Sequence, residues 1–407
     1  MNKQVSHIPF GYKPSPLGPI PENWEVKRIK EIGEVFSGGT PNTEIQEYWN
    51  GNIDWCTPTD ITLLNGAVYI ERTALKITDL GLKSSSAVLL PPNSIIVCTR
   101  ATIGNAAISL HQIATNQGFK NIVPNENIDT LFLYYTIVNN KIRLIRLGNG
   151  STFLEVSKSD FENLTIPVPH LPEQQRIVSV LSLWDAAIAK QTALIEKLTL
   201  LKRGLMQQLL TGNKRLKGFG GEWKEVRLGE IARITMGQSP DSKYYNEIGL
   251  GLPLIQGNAD IQDKKSIQRF WTSNITKTCE GGDIIMSVRA PVGEIAIATQ
   301  KSCIGRGVCA IKNTSIEKKY LYQLLLFEED SWKNIEQGGT FTAINSNEIR
   351  NKAVIIPATD EQNAIASVLV DADKEIEIQK QKLAAMQEQK KGLMQVLLTG
   401  KRRIKIN

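Results

Sequence analysis

The stretches GLMQQLLTG at residues 204–212 and GLMQVLLTG at residues 392–400 decide the architecture of this chain. They differ at one position and lie 188 residues apart (392 − 204 = 188). At the same separation, PEQQRIVSVLSLWD from residue 172 aligns with DEQNAIASVLVDAD from residue 360. Because both markers share one separation, the segment between them repeats without an insertion, which indicates a duplicated structural element.

The rest of the chain is duplicated as well, but the separation changes along it. Residues 24–41 match residues 223–240 at a separation of 199, and residues 96–108 match residues 285–297 at 189 (223 − 24 = 199; 285 − 96 = 189). Because the separation between equivalent residues changes along the chain, we expect the two copies to differ by insertions, which we place in loops. Short β-rich runs such as SIIVC alternate with turn signals, so we expect a mixed α+β fold whose two globular repeats have β-rich cores.

The predicted order is domain, helix, domain, helix, an internal pseudo-two-fold repeat. Five prolines between residues 9 and 21 indicate an extended lead-in without packed secondary structure. Each globular domain is expected to contain one longer helix, at residues 129–147 and 316–335. The predicted segments are the lead-in 1–22, the first globular domain 23–170, the central helix 171–212, the second globular domain 213–358, and the C-terminal helix with a basic tail 359–407.

Both long segments carry apolar residues at spacings of four and three, which is typical of a coiled-coil seam. We therefore expect the two helices to pair with each other, although the pattern does not choose between a parallel and an antiparallel arrangement. The alternative is two ordinary helices packed on different cores. The residues predicted to pair the helices are Ile177, Leu181, Trp184, Ile188, Ile195, Leu198, Ile365, Leu369, Ile376, Leu383 and Met386.

The net charge, the cysteines and the apolar runs limit the classes of function expected of this chain. The net charge is +7 and the pI is about 9.0, which favours a polyanionic partner without requiring one. The five cysteines are scattered and include no CxxC pair, which indicates a reducing cytoplasm. The N-terminus has no apolar signal core, and no run approaches the apolar length of a membrane span.

Arg100 and Arg289 stand at matching positions and are expected at the tips of two hairpins, each bounded by glycine. An arginine at such a tip can recognise guanine or bind a phosphate. The alternative is a structural ion pair or hydrogen bond to a neighbouring loop. On the same turns, the candidate DNA contacts also include Thr99, Gly104 and Gly293.

Further polar turns have the side chains that suit base edges and phosphates, although the same residues also make ordinary turns. The two copies diverge in these loops while the helices nearly coincide. Such divergence is expected of two similar scaffolds that recognise different sequences. These further DNA-contact candidates are Thr40, Thr57, Thr59, Gln117, Lys120, Ser151, Thr152, Gln238, Gln256, Asn258, Arg306 and Thr340.

No catalytic motif is recognisable. The three histidines have no HExxH or other metal-ligand spacing, and no GxxxxGK[ST] phosphate loop is present. The Asn/Asp-Pro-Pro-aromatic motif of amino-methyltransferases and the GxSxG nucleophile turn are also missing. We therefore expect no catalytic residue, metal or cofactor on this chain, although scattered carboxylates leave a nuclease site open.

The chain resembles the specificity subunit of type I restriction-modification systems over nearly its whole length. The resemblance rests on the segments that begin at Trp24 and Trp223 and end in Gly-x-x-Pro, the PEQQRI and DEQNAI helix starts, and the GLMQ-x-LLTG helix ends. It implies two target-recognition domains, each recognising half of a bipartite site in double-stranded DNA, held apart by two antiparallel spacer helices. It also implies two modification subunits and two restriction subunits as partners, which would carry S-adenosylmethionine, ATP and magnesium.

Three alternatives differ in what the partners or the chain itself would do. One is a restriction or modification enzyme with its own active site, and another is a coiled-coil scaffold that binds only proteins. The third is the specificity chain of a related system that cuts beside its site. A scaffold gives no reason for two diverged, turn-rich domains, and the third alternative differs from the main one only in its partner.

Overall fold

The structure is a computed structural model that describes residues 8–148, 154–332 and 343–404. The chain divides into two compact units, and the boundary lies in the middle of both long helices. Unit 1 comprises residues 1–191 and 382–407, and unit 2 comprises residues 192–381. Each unit therefore contains the first half of one long helix and the second half of the other.

The first long helix is Leu171–Leu209 and the second is Thr359–Leu397, each of 39 residues. At 1.5 Å per residue each is about 58 Å long. Past their ends, Gly212 and Gly400 adopt the positive φ angles of +74° and +71° that close many helices. All of the predicted pairing residues are buried or half-buried, while most of the residues around them are exposed.

Within each unit the start of one long helix packs beside the end of the other. In unit 1, Ile177 and Leu181 share a core with Leu397. In unit 2, Leu369 shares a core with Leu209. Because low numbers on one helix meet high numbers on the other, the two helix halves run antiparallel within each unit.

Unit 1 has a five-stranded sheet in the order Gly33–Ser37, Phe119–Pro124, Ile95–Cys98, Ala106–Ser109 and Tyr69–Ile70. A three-stranded sheet has the order Ile113–Thr115, Trp49–Cys56 and Leu75–Ile77, and Glu25–Arg28 pairs with Thr165–Val168. The shorter helices are Ile29–Ile32, Gln46–Tyr48 (3-10), Pro58–Leu63, Asp79–Lys83, Thr130–Asn139, Lys141–Leu147 and Lys158–Glu162.

Unit 2 repeats this plan with a six-stranded sheet in the order Ala232–Met236, Val308–Asn313, Ile284–Ser287, Ile295–Ile297, Lys265–Ser266 and Ile261–Gln262. Its second sheet has the order Tyr245–Asn246, Phe270–Thr272, Leu252–Ile255, Ser302–Ile304 and Thr278–Cys279, and Lys224–Arg227 pairs with Ala353–Ile356. The helices include Leu228–Ile231, Ser242–Tyr244 (3-10), Asn258–Asp260 (3-10), Lys318–Phe327 and Ser346–Asn351. The predicted mixture of α and β structure is confirmed.

Two local predictions differ from the structure. The lead-in was expected to be unpacked, but Tyr12–Lys13 pairs with Ile20–Pro21 and the Tyr12 hydroxyl donates to the Gly400 carbonyl at 2.8 Å. Prolines are tolerated at the edge of such a short ladder, where few backbone N–H groups are needed. The single helix expected at 129–147 is two helices that meet at Asn140, and the expected end of the helix at 316–335 lies partly outside the described residues.

A third difference concerns hydropathy. Among the described residues, one helix, Leu171–Leu209, has the length and composition of a membrane span, with a mean hydropathy of 1.2 over 18 residues. The expectation that no run approaches this length was therefore wrong. The reason is that the apolar residues of the predicted seam add to leucines elsewhere on the helix. Length and composition of one helix are weak evidence for a membrane.

Candidate nucleic-acid interface

In unit 1 four loops that are far apart in sequence meet at one edge. Gly39 N donates to Thr115 O at 2.9 Å, and Asn116 N donates to Cys56 O at 3.0 Å. Thr99 N donates to Gly118 O at 2.8 Å. We call these loops, residues 38–40, 57–60, 99–101 and 116–118, the loop cluster of unit 1. Most of the polar turns singled out by the sequence are thus brought together.

Unit 2 builds the same cluster with equivalent bonds. Gln238 N donates to Ile304 O at 2.9 Å, and Gly305 N donates to Ile255 O at 2.8 Å. Val288 N donates to Gly307 O at 2.9 Å. The loop cluster of unit 2 therefore consists of residues 237–240, 256–260, 288–290 and 305–307. The backbone frame is the same in both units while the side chains on it differ.

Glycine permits this close approach. A Cβ atom on Gly38 would lie 1.8 Å from the Asn116 carbonyl oxygen, and one on Gly237 would lie 2.1 Å from the Gly305 carbonyl oxygen. Neither distance is sterically possible, and the obstacle is backbone in both cases. The matching glycines of the two repeats therefore serve loop packing.

Six of the candidate DNA-contact side chains are exposed, namely Thr40, Thr59, Gln117, Gln238, Arg289 and Arg306. Four more are half-buried, namely Thr57, Arg100, Gln256 and Asn258. Thr40 donates its hydroxyl proton to the Gln117 amide oxygen, so two of the exposed side chains already touch across adjoining loops. Ser151, Thr152 and Thr340 lie outside the described residues.

Four candidates are buried and are corrected as direct contacts. Thr99 is 0% exposed and donates its hydroxyl to Gly118 O at 3.1 Å. Lys120 is 6% exposed, and its Nζ atom lies 3.5 Å from Glu155 Oε1. Gly104 and Gly293 have φ angles of +81° and +87° and serve the hairpin turns. The sequence pattern placed Thr99, Gly104 and Gly293 correctly at turns, whereas Lys120 lies on strand Phe119–Pro124, and the pattern carried no information on which side chains face solvent.

In each loop cluster a buried aspartate accepts hydrogen bonds from its own loop, residues 57–60 in unit 1 and 256–260 in unit 2. Asp60 Oδ2 accepts from the backbone N and the hydroxyl of Thr57, both at 2.7 Å, at the start of helix Pro58–Leu63. In unit 2, Asp260 Oδ2 accepts from the backbone N of Gln256 at 2.7 Å. Among the described residues the Gln256 side chain forms no hydrogen bond, whereas the Thr57 hydroxyl donates to Asp60. The two units therefore present different groups from one shared loop geometry.

The two candidate arginines differ in their surroundings. Arg100 Nη2 lies 2.5 Å from Glu155 Oε2, and Lys120 Nζ lies 3.5 Å from Glu155 Oε1. Burial lowers the pKa of the Lys120 amine, with Glu155 opposing the shift. Burial acts to raise the pKa of the Glu155 carboxyl, but Arg100 and Lys120 together hold that pKa below its usual value. For Arg100 the structural ion pair weighed as an alternative is therefore present.

Arg289 occupies the matching position in unit 2 without a carboxylate. Its backbone bridges to Ala343, as the backbone of Arg100 bridges to Glu155. Among the described residues Arg289 forms no ion pair, and its side chain is exposed. Arg289 is therefore the less constrained of the two arginines.

The surface beside each arginine also differs in charge. Next to Arg100 is a cleft of about 1020 Å³ whose lining includes Asn105 and Lys141, joined by a hydrogen bond of 2.7 Å. The equivalent positions in unit 2 are Glu294 and Glu329, and both carboxylates bind Lys264 Nζ at 2.7 Å. Arg100 thus has an amine in its cleft, whereas the equivalent positions in unit 2 carry two carboxylates that share one lysine amine.

Sequence reasoning missed a repeated ionic network at the helix ends. Arg403 binds Glu173 with two bonds of 3.0 and 2.8 Å, and Arg215 binds Glu361 with two bonds of 2.6 Å. Both glutamates are 3% exposed on their side chains. Equivalent residues of the two pairs lie 188 positions apart (361 − 173 = 188; 403 − 215 = 188), which is the signal in the sequence that could have found them.

The same separation relates the ion pairs in the middle of each unit. Lys390 binds Asp185 in unit 1, and Lys202 binds Asp373 at 2.6 Å in unit 2. Each lysine lies four residues after a predicted pairing residue, Leu198 or Met386. Burial, followed by the hydrogen bond to Asp185, raises the pKa of the Tyr135 hydroxyl. These two lysines and two aspartates are therefore paired inside their own units.

The first long helix also exposes leucines. Leu183, Leu200 and Leu201 are 69%, 68% and 60% exposed. The residues 188 positions later on the second helix are Asp371, Glu388 and Gln389. The outer surface of the first helix is therefore more apolar than the corresponding surface of the second.

Within residues 8–148, 154–332 and 343–404 no group of three or more His, Cys, Asp or Glu side chains is placed to hold a metal ion. The five cysteines are buried as free thiols. Burial raises the pKa of Cys98 and Cys279 to about 11 each.

Similarity to known proteins covers both units. Residues 21–200 and 220–388 match the family described as "Type I restriction modification DNA specificity domain". The putative type I restriction enzyme MjaX specificity subunit of Methanocaldococcus jannaschii is 31% identical over 97% of both chains. The MjaIX specificity subunit of the same organism is 29% identical over 85% of this chain and 86% of the relative.

Among solved structures, a chain described under "complex assembly and conformational transition of the type I R-M system" aligns with a TM-score of 0.64 and 26% identity. The alignment covers 94% of this chain and 99% of that one. Sequence and structural likeness thus extend over the same length and include both loop clusters. The chain belongs to the family of type I restriction-modification DNA specificity proteins.

Proposed function

We propose that this chain recognises a bipartite DNA sequence, with one half bound by the loop cluster of unit 1 and the other by the loop cluster of unit 2. As a family member it is a non-catalytic specificity subunit. The observation that carries the two-half proposal is the shared backbone frame of the two clusters combined with different exposed side chains, such as Gln117 in unit 1 and Arg306 in unit 2. Similar frames dock on DNA alike, and different side chains prefer different bases.

The proposed DNA contacts are the accessible members of these clusters and the candidates outside the described residues. Arginine and amide side chains suit base edges and phosphates, and hydroxyls suit either. The positive net charge of +7 supports binding to the DNA backbone. The proposed residues are Thr40, Thr57, Thr59, Arg100, Gln117, Ser151, Thr152, Gln238, Gln256, Asn258, Arg289, Arg306 and Thr340.

We propose that residues 23–170 and 213–358 are target-recognition domains and that residues 171–212 and 359–407 form the coiled-coil spacer between the half-sites. The repeated ion pairs support a rigid role, because a buried carboxylate that loses its partner is costly. Glu173 and Glu361 are such carboxylates. A spacer of this kind would set the number of unspecified base pairs between the halves.

The proposed protein partners are two modification subunits, joined in the complete enzyme by two restriction subunits. The exposed leucines of the first long helix, including Leu183 and Leu200, offer apolar area for docking a modification subunit. S-adenosylmethionine, ATP and magnesium would reside on these partners. Buried free thiols favour a cytoplasmic setting.

Genome-wide methylation mapping tests the proposal directly. Cells that express this chain with its modification subunit should methylate a motif of two short halves around an unspecified gap. Cells lacking only this chain should not. The modification subunit alone is the control for background methylation. An unchanged methylation pattern would contradict the role in recognition for that partner.

A further inference from the structure

The two candidate arginines differ in the residue that each one faces across a backbone bridge. Arg100 and Arg289 stand on matching hairpin turns, and each forms a backbone bridge to a later segment. The bridged residue is Glu155 in unit 1 and Ala343 in unit 2. The backbone arrangement is therefore shared, and the carboxylate is the difference.

In unit 1 two cationic side chains contact the Glu155 carboxylate. Arg100 Nη2 lies 2.5 Å from Glu155 Oε2, and Lys120 Nζ lies 3.5 Å from the other carboxylate oxygen. The Lys120 side chain is 7% exposed, so this amine is anchored inside the domain. The position equivalent to Lys120 in unit 2 is Cys309, which is buried and uncharged. The equivalent positions in unit 2 therefore carry neither the carboxylate nor the amine.

Stability alone does not account for this arrangement. The Arg100 and Glu155 side chains are 43% and 31% exposed, and ion pairs with that much solvent contribute little to folding. A negative charge beside a DNA-binding arginine would also repel phosphates. Lys120 offsets that charge, so the three groups together remain positive by one. The arrangement keeps the arginine in place while preserving attraction to DNA.

A held guanidinium suits recognition of a base edge. Arginine has five N–H donors in a rigid plane, and Glu155 engages only part of them. The remaining donors keep a fixed direction, and less side-chain entropy is lost when they bind. Arg289 forms no ion pair among the described residues, so no carboxylate there fixes the direction of its donors.

We propose that Glu155 is a positioning residue that aims Arg100 at a base edge in the half-site bound by unit 1, and that the other half-site is recognised without such a residue. This inference rests on the proposed function of the loop clusters. It predicts that loss of the Glu155 carboxylate changes base recognition in the half-site bound by unit 1 and leaves the other half-site unchanged. Thr99 and Gly118 fix the turn itself, and Glu155 fixes the side chain.

The test uses the full chain assembled with its modification subunits and two DNA libraries, each with one half-site randomised. Glu155→Gln should lower base discrimination about 5- to 10-fold at one or two positions of one half, within the range expected of one arginine contact. The other half should be unchanged. Glu162→Gln is the matched control, because Glu162 forms a surface ion pair with Lys158 in the same unit.

Ala343→Glu extends the test to unit 2 if Glu155→Gln lowers protein yield. Ala343 is exposed, so a longer side chain is accommodated there. The new carboxylate should engage Arg289 and change base preference in the half that Glu155→Gln leaves alone. Unchanged preference in both variants would overturn the inference.

Arg100→Ala distinguishes a DNA contact by Arg100 from a positioning role of Glu155. If it leaves both half-sites unchanged, the proposed contact by Arg100 fails. If it relaxes one half while Glu155→Gln and Ala343→Glu have no effect, the contact stands and the positioning role fails. Relaxation of the same base positions by Arg100→Ala and Glu155→Gln is the expected result.

Discussion

The helix ends and the loop clusters diverged differently after the chain was duplicated. At the helix ends the bonds are repeated, as in the pairs Glu173 with Arg403 and Glu361 with Arg215. In the loop clusters the backbone is repeated but the side chains are not, since Arg100 faces Glu155 while Arg289 faces Ala343. Buried charge tolerates no change that leaves it unpaired, whereas an exposed loop tolerates many. Scaffold and recognition surface can therefore change independently.

The largest expected effect comes from placing a charge in the helix cores. Leu181→Asp and Leu369→Asp each put a carboxylate at a site that is 0% exposed, so each should destabilise its own unit by at least about 4 kcal/mol. Calorimetry should show the altered unit melting first, unit 1 for Leu181→Asp and unit 2 for Leu369→Asp. Both variants should also lose complex mass with modification subunits. Ala189→Asp, at an exposed site on the same helix, is the control.

The two repeated ion pairs should contribute unequally to the stability of their units. Glu173 also accepts from the Trp24 indole nitrogen at 3.1 Å, whereas Trp223 Nε1 has no hydrogen-bond partner among the described residues. Glu173→Ala should therefore lower the free energy of unfolding by about 1–3 kcal/mol more than Glu361→Ala does. Urea unfolding of both variants measures the difference. Equal losses would show that the indole bond adds nothing.

A smaller effect is expected where the loop clusters differ. Arg306 is exposed at the position that Gln117 occupies in unit 1. Arg306→Gln should weaken DNA binding, with the salt slope falling by about 0.9 if the arginine binds one phosphate. If it contacts a base, one position of one half-site should lose its preference instead. Salt titration with both half-site libraries distinguishes these outcomes, with Lys301→Gln as control for a surface cation paired to Glu280.

The control Lys301→Gln should leave both the salt slope and the base preferences nearly unchanged. If Arg306→Gln behaves in the same way, Arg306 does not contact DNA. The difference between the two clusters would then have to lie in their other residues.

The smallest difference is expected for the thiols, which are buried alike in both units. Burial raises the pKa of Cys98 to about 11 and that of Cys309 to about 12, so both remain protonated thiols at pH 8. The native chain should react slowly with iodoacetamide, and the denatured chain should take up five labels. Mass spectrometry measures the labelling. Rapid labelling confined to one unit would reveal local opening there.

Several features of the candidate site were predictable because they are local. Arg100 and Arg289 were placed on matching turns, and the four polar loops of each copy were singled out before their convergence was visible. Exposure was less predictable, since Thr99 and Lys120 are buried. Polar residue types indicate a turn, but the direction of each side chain depends on what packs behind it.

The duplication, the two long helices and the mixed α and β composition could be predicted from the amino acids alone, because repetition and periodicity are visible along the chain. The antiparallel sense of the helix halves within each unit, and the pairing of Arg403 with Glu173 across 230 residues, required the three-dimensional structure. It also decided that Arg100 meets Glu155 while Arg289 meets Ala343. Such contacts join segments far apart in the chain, and their partners are chosen by packing and burial of charge rather than by any local pattern.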